Sequence, residues 1–105
     1  MDKYAEKNYF KQMQQAYNEA LRSWHILQQQ GANNLELLMA EHEMVESQKK
    51  LTVAEDNLIS WLSRNIRSQH QNDPRLQWLE NIPTLIQNQS FRKHLIKTAQ
   101  DYNPN

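Results

Sequence analysis

The chain contains no cysteine and only one glycine among its 105 residues. The first absence excludes disulfides, thiolate metal sites and thiol nucleophiles, and the second excludes Gly-rich loops that cradle phosphates. No stretch approaches the roughly 18 apolar residues that a membrane-spanning helix requires. The N-terminal sequence "MDKYAEKNYFKQ" also lacks the apolar run of a signal peptide. We therefore expect a cytoplasmic protein that does not enter a membrane.

Large apolar residues are scarce as well. Leu, Ile, Val and Phe make up 22 of the 105 residues, just above the roughly 20% below which a chain does not order itself. Three Trp and four Tyr add apolar bulk, and the net charge is zero. We expect a single folded domain over residues 1–105 with a thin core. A thin core favours a protein that is stabilised by a partner or by a second copy of itself.

The abundance of Ala, Leu, Gln, Glu and Lys, together with few β-branched residues, predicts an all-α fold. The first helix is predicted from about Asp2 to Gln30, with Gly31 at its C-cap because glycine takes the left-handed conformation without a steric penalty. Its apolar stripe comprises Tyr9, Met13, Ala16, Ala20, Trp24 and Leu27, widened by Phe10, Tyr17 and Leu21.

The second helix is predicted to begin after Asn33, with Glu36 three residues later as in a capping box. Large residues at heptad position a and small ones at position d predict a seam that packs against the first helix. The a residues are Leu37, Met44, Leu51 and Leu58, and the d residues are Ala40, Ser47, Ala54 and Trp61. The expected architecture is a small helical bundle built on an antiparallel hairpin (about residues 2–70), with shorter C-terminal helices (about 73–102) packed on it.

The sequence "TVAE", which begins at Thr52, is itself a capping box and would divide the second helix into two. The heptad phase continues through this point without a slip, which favours one helix.

A second apolar row follows heptad position b of the same helix. It comprises Leu38, Val45, Ile59 and Ile66. One partner helix cannot cover both this row and the seam, so either the C-terminal helices or another molecule must pack on it. We interpret these four residues as candidates for protein interaction.

The tryptophans give two further expectations. Trp78 lies on a short segment between two prolines and is a candidate exposed anchor for a protein partner. Trp61 ends the seam, and an antiparallel hairpin is expected to pack it against Tyr4 or Tyr9.

The stretch "LLMAEHEMVESQKK" (residues 37–50) resembles a metal or acid/base site because it contains three glutamates and a histidine. Helical phase places His42, Glu43 and Glu46 away from the seam, and Glu41 on its flank. A metal ion would there lack ligands from a second element, so a solvated charged face is the better interpretation. The scattered histidines form no catalytic set. We expect no enzymatic activity, no metal and no cofactor.

Basic residues are concentrated in the second half of the chain. Residues 57–105 carry six Lys/Arg against three Asp/Glu, whereas residues 1–56 carry six against nine. The candidate basic surface comprises Arg64, Arg67, Arg92, Lys93 and Lys97. Such a surface suits an acidic protein partner or, less well at a pI near 6.9, a nucleic acid.

Three functions remain open at this point. The leading hypothesis is a small non-enzymatic protein-binding module, that is, an adaptor, a chaperone-like protein or an inhibitor, whose partner offers an acidic or an apolar surface. One alternative is a nucleic-acid-associated regulator that uses the basic surface. The other is a self-assembling structural protein, in which the second apolar row pairs with its own copy to form a homo-oligomer.

Overall fold

A computed structural model describes residues 3–69, residue 74 and residues 87–104. Three helices occupy these ranges: α1 (Ala5–Gln29), α2 (Asn34–Gln69) and α3 (Gln89–Asp101). The described residues contain no β-strand, so the predicted all-α fold with two long helices and a shorter C-terminal helix is confirmed. The chain divides into two compact units. We call Asn8–Glu55 the hairpin unit, and the residues up to Lys7 and from Asp56 onward the terminal unit.

The turn of the hairpin unit is a Schellman motif centred on Gly31. Gly31 has a φ of 68°, as its predicted place at the helix C-cap requires. Its N–H donates to Gln28 O at 3.2 Å, and the next N–H, of Ala32, donates to Leu27 O at 3.0 Å. These two bonds satisfy carbonyls that the end of α1 would otherwise leave without a partner.

Asn33 caps the N-terminus of α2, as predicted. Its side-chain Oδ1 accepts the backbone N–H of Glu36 at 2.9 Å, and its carbonyl accepts the N–H of Leu37 at 3.1 Å. From there α2 continues past Thr52 without a break. The Thr52 hydroxyl donates to the carbonyl of Gln48, one turn earlier, at 3.0 Å, so this residue is accommodated within a continuous helix.

The predicted stripe of α1 is wrong at its first residue. Tyr9 is exposed, whereas Phe10 is buried. Steps of three and four residues lead back from Trp24 through Ala20, Tyr17 and Met13 to Phe10, and a helix rotates by about 100° per residue. The neighbouring position, Tyr9, therefore faces outward.

The core of the terminal unit is formed by the second part of α2 together with α3. Leu58, Ile59 and Leu62 are the largest fully buried side chains, and Leu95 and Ala99 of α3 are buried as well.

Trp61, at the end of the seam, is buried and contacts the C-terminal end of the chain. Its ring meets that of Tyr102 edge to face, with centroids 5.8 Å apart, a favourable geometry for aromatic pairs. The Lys7 ammonium lies 5.5 Å from the Trp61 ring centroid and donates to the carbonyls of Gln100 and Tyr102. Lys7 thus caps the end of α3, where a cation is favoured. The sequence predicts a contact of Trp61 with Tyr4 or Tyr9 and does not predict the contact with Tyr102 that the structure shows.

An asparagine side chain caps the N-terminus of α3, as one does at the N-terminus of α2. The Asn88 side chain accepts the backbone N–H of Phe91 at 3.0 Å. One turn into the helix, Arg92 is buried, and its Nη2 lies 2.7 Å from Oδ1 of Asp56 on α2. This ion pair and the Trp61–Tyr102 contact join α3 to α2.

We expect Asn33→Ala to lower the free energy of unfolding by about 1 kcal/mol, because the Glu36 N–H loses its acceptor at the helix N-terminus. Asn34→Ala is the matched control: it changes the adjacent exposed asparagine, which lies inside α2, and should leave stability nearly unchanged. Urea denaturation of the three proteins measures the difference. Equal losses in both variants would contradict the assignment of the cap.

The Arg92–Asp56 pair should contribute a coupling free energy of about 1–2 kcal/mol, between the values of exposed and fully buried pairs, because the Asp56 side chain is half exposed. A double-mutant cycle with Arg92→Met and Asp56→Asn isolates this pairwise value, since Arg92 has further interactions that the single variant also loses. Chemical denaturation of the four proteins provides the measurement. Additive losses would show that the pair does not stabilise the fold.

Candidate functional site

An apolar cluster lies exposed on the side of α2 opposite its seam, within the hairpin unit. We call this cluster the outer face. It comprises Leu35, Leu38, Met39, Val45 and Val53. The exposed fractions of Leu35, Leu38 and Met39 are 66%, 63% and 62%, values at which these side chains contribute little to the core. Single exposed apolar residues are common on proteins, but a contiguous group of large ones marks an interaction surface.

Helical geometry explains why these residues form one surface. Leu38 and Val45 occupy heptad position b, Met39 and Val53 position c, and Leu35 position f, and these three positions are adjacent on the side away from a and d. Leu37, Met44 and Leu51 of the seam are half-buried. The hairpin unit therefore has a covered side and an uncovered apolar side on the same helix.

Three glutamates surround the first part of the outer face. Glu36, Glu41 and Glu43 line, together with Leu38, Met39 and Val45, an open depression of ≈ 830 Å³. Its remaining lining residues are Leu27, Ala40 and His42. No Lys or Arg is among these lining residues, so the depression is apolar at its floor and acidic at its rim. We call Glu36, Glu41 and Glu43 the acidic rim.

The charged stretch at residues 37–50, which resembles a metal or acid/base site in sequence, is thus part of the border of the outer face. Glu41, His42 and Glu43 are exposed, as predicted. Glu41 Oε1 accepts a hydrogen bond from Trp24 Nε1 at 3.3 Å, which holds this carboxylate beside α1. Glu46 pairs with Lys49 at 3.2 Å; such an exposed pair contributes little to stability.

The second apolar row does not act as one surface. Ile59 is buried and Ile66 half-buried, whereas Leu38 and Val45 are exposed. Naming Ile59 as a residue that contacts a partner was therefore wrong: it belongs to the core of the terminal unit. Leu35 was missed from the sequence, although its position three residues before Leu38 is the spacing that places two side chains on one helix face.

Not all five residues of the predicted basic surface are exposed. Arg92 is buried and paired with Asp56, so it is not a surface residue. Arg64 Nη2 lies 3.6 Å from the Glu6 carboxylate, which offsets part of its charge. Arg67, Lys93 and Lys97 are exposed. Trp78, the candidate anchor, lies outside the described residues.

In the part of the chain that the structure describes, no group of three His, Asp or Glu side chains is arranged to hold a metal ion. Among the same residues, no helix combines the length and apolar character that crossing a membrane demands.

Comparison with known proteins identifies no relative: no protein-family model, curated protein or solved structure matches the chain.

Two leucines of α2 offer a direct test of the outer face. Leu58→Ala should lower the free energy of unfolding by about 2–5 kcal/mol, because Leu58 is fully buried. Leu38→Ala is the same substitution in the same helix at an exposed position, and should change stability by less than about 0.5 kcal/mol. Urea denaturation measures both values. A large loss in Leu38→Ala would mean that Leu38 is covered.

Proposed function

We propose that this protein is a small non-enzymatic module that binds another protein through the outer face of α2. The observation that carries the proposal is the exposure of Leu35, Leu38 and Met39 side by side on a helix whose opposite side carries the half-buried residues of the seam. An adaptor, a chaperone-like protein and an inhibitor all act in this way, by occupying or presenting a surface of their partner.

The energetics of the outer face support binding. Full burial of one Leu or Met side chain contributes about 1.5–3 kcal/mol. The outer face offers several such side chains in one patch, which can offset the translational and rotational freedom lost on association. In protein interfaces most binding energy is concentrated in a few central anchors that polar groups surround.

Substitution on the outer face tests the proposal. Leu38→Glu and Val45→Glu should each weaken partner binding at least about tenfold, because a carboxylate replaces an apolar anchor. Gln48→Glu is the matched control: it adds the same charge to an exposed polar position of α2 and should retain binding. The measurement is affinity capture with the tagged protein from the cells that produce it, with and without nuclease, quantified by mass spectrometry.

Circular dichroism establishes that each variant keeps its helices, so that lost binding is not lost folding. A protein retained by the native chain and by Gln48→Glu, but absent with Leu38→Glu and Val45→Glu, would support the proposal. Equal capture by all four proteins would refute it. Loss of every partner on nuclease treatment would instead favour the nucleic-acid hypothesis.

A further inference from the structure

We infer that the partner segment is an amphipathic helix that carries Lys or Arg beside its apolar side chains. This inference rests on the proposed function, and it adds the shape and the charge of the partner. Two features of the hairpin unit carry it: the layout of the apolar residues along α2 and the sign of the charges around them.

The layout suits a helix. The first part of the outer face extends from Leu35 to Val45, a length of about 15 Å at the helical rise of about 1.5 Å per residue. Leu38 and Met39 lie one turn beyond Leu35, and Val45 two turns further on. A partner helix with anchors at spacings of three, four and seven residues presents a stripe of the same length and direction. The depression beside α2 is open, so a helix can enter it sideways.

The charge selects a basic partner. All three carboxylates of the acidic rim line the same depression as Leu38, Met39 and Val45, and no lining residue is Lys or Arg. A partner that buries the apolar floor comes within a few ångströms of these carboxylates. At that distance an opposite charge is attracted and a like charge is repelled, more strongly as water leaves the contact. Lys or Arg at the border of the partner's apolar stripe would form ion pairs with the carboxylates of the acidic rim.

The same charges argue against two other occupants. A second copy of this chain, bound face to face, would bring two acidic rims together, since a symmetric dimer uses the same patch twice. An anionic lipid surface attracts basic amphipathic helices and would repel this rim. A basic protein helix is the occupant that matches both the floor and the rim.

The test is a selection of random displayed peptides, long enough for about four helical turns, against the full chain. We expect enriched peptides with apolar residues spaced by three and four and with Lys or Arg beside them. The Kd of a synthesised peptide from this pool should rise at least about tenfold with Leu38→Gln, which removes an anchor without adding charge.

Removing a rim charge tests the charge inference by itself. Glu43→Gln should weaken the same peptide about three- to tenfold at low ionic strength, and less as salt is added, because salt screens exposed charges. Glu19→Gln is the matched control. It removes one carboxylate from an exposed residue of α1 that does not line the depression, and it should leave the Kd unchanged.

The outcomes distinguish the inference about the partner's charge from the proposed docking function. Apolar peptides without a basic bias, bound equally well by Glu43→Gln, would overturn the inference about charge and leave the proposed docking function in place. No enrichment, or peptides that bind Leu38→Gln as well as the native chain, would overturn both. Sedimentation velocity that shows a dimer, lost in Leu38→Gln, would identify a second copy as the occupant. Co-sedimentation with phosphatidylserine vesicles, also lost in Leu38→Gln, would identify a membrane.

Discussion

Helix α2 has apolar side chains on two sides, and a single neighbouring helix can cover only one of them. The heptad seam is the side that the first helix requires, with small residues at position d that permit close approach. The opposite side poses a separate demand. In the terminal unit this side is buried at Ile59, where α3 belongs to the same core. In the hairpin unit Leu38 and Val45 are exposed, and none of the described helices covers them. The candidate site follows from this imbalance.

The buried apolar residues are divided unequally between the two units, as the burial of the two sides of α2 is. Of the eight buried apolar residues in the described part of the chain, six belong to the terminal unit and only Phe10 and Ala54 to the hairpin unit. Regions with few buried contacts open locally at lower free energy than the rest of a protein. A ligand that binds only the folded state stabilises it by mass action. Under the proposed function, the hairpin unit, with fewer buried apolar residues, is therefore the unit that gains most from a partner on the outer face.

Local signals in the sequence predicted the helices well, whereas contacts between distant residues could not be predicted. Gly31, Asn33 and the unbroken heptads each act within a few residues, so pattern alone located the turn, the cap and the continuous α2. Leu38 and Ile59 share heptad position b and are both apolar. Leu38 is exposed in the hairpin unit whereas Ile59 is buried in the terminal unit, and no local pattern encodes that difference. The prediction that Arg92 lies on the basic surface is wrong for the same reason. Its pairing with Asp56 is a tertiary contact, which no local pattern reveals.

The acidic rim (Glu36, Glu41 and Glu43) would have two roles at once in the proposed docking function. Charges around an exposed apolar patch limit non-specific association, because burial of the patch against a like-charged or uncharged surface must also desolvate the carboxylates. The same carboxylates favour a partner that supplies the opposite charge, so repulsion of wrong partners and attraction of the right one come from the same side chains. An apolar row alone would bind many surfaces. Under the proposed function, the acidic rim lets the outer face discriminate by charge among the partners that it attracts through apolar contact.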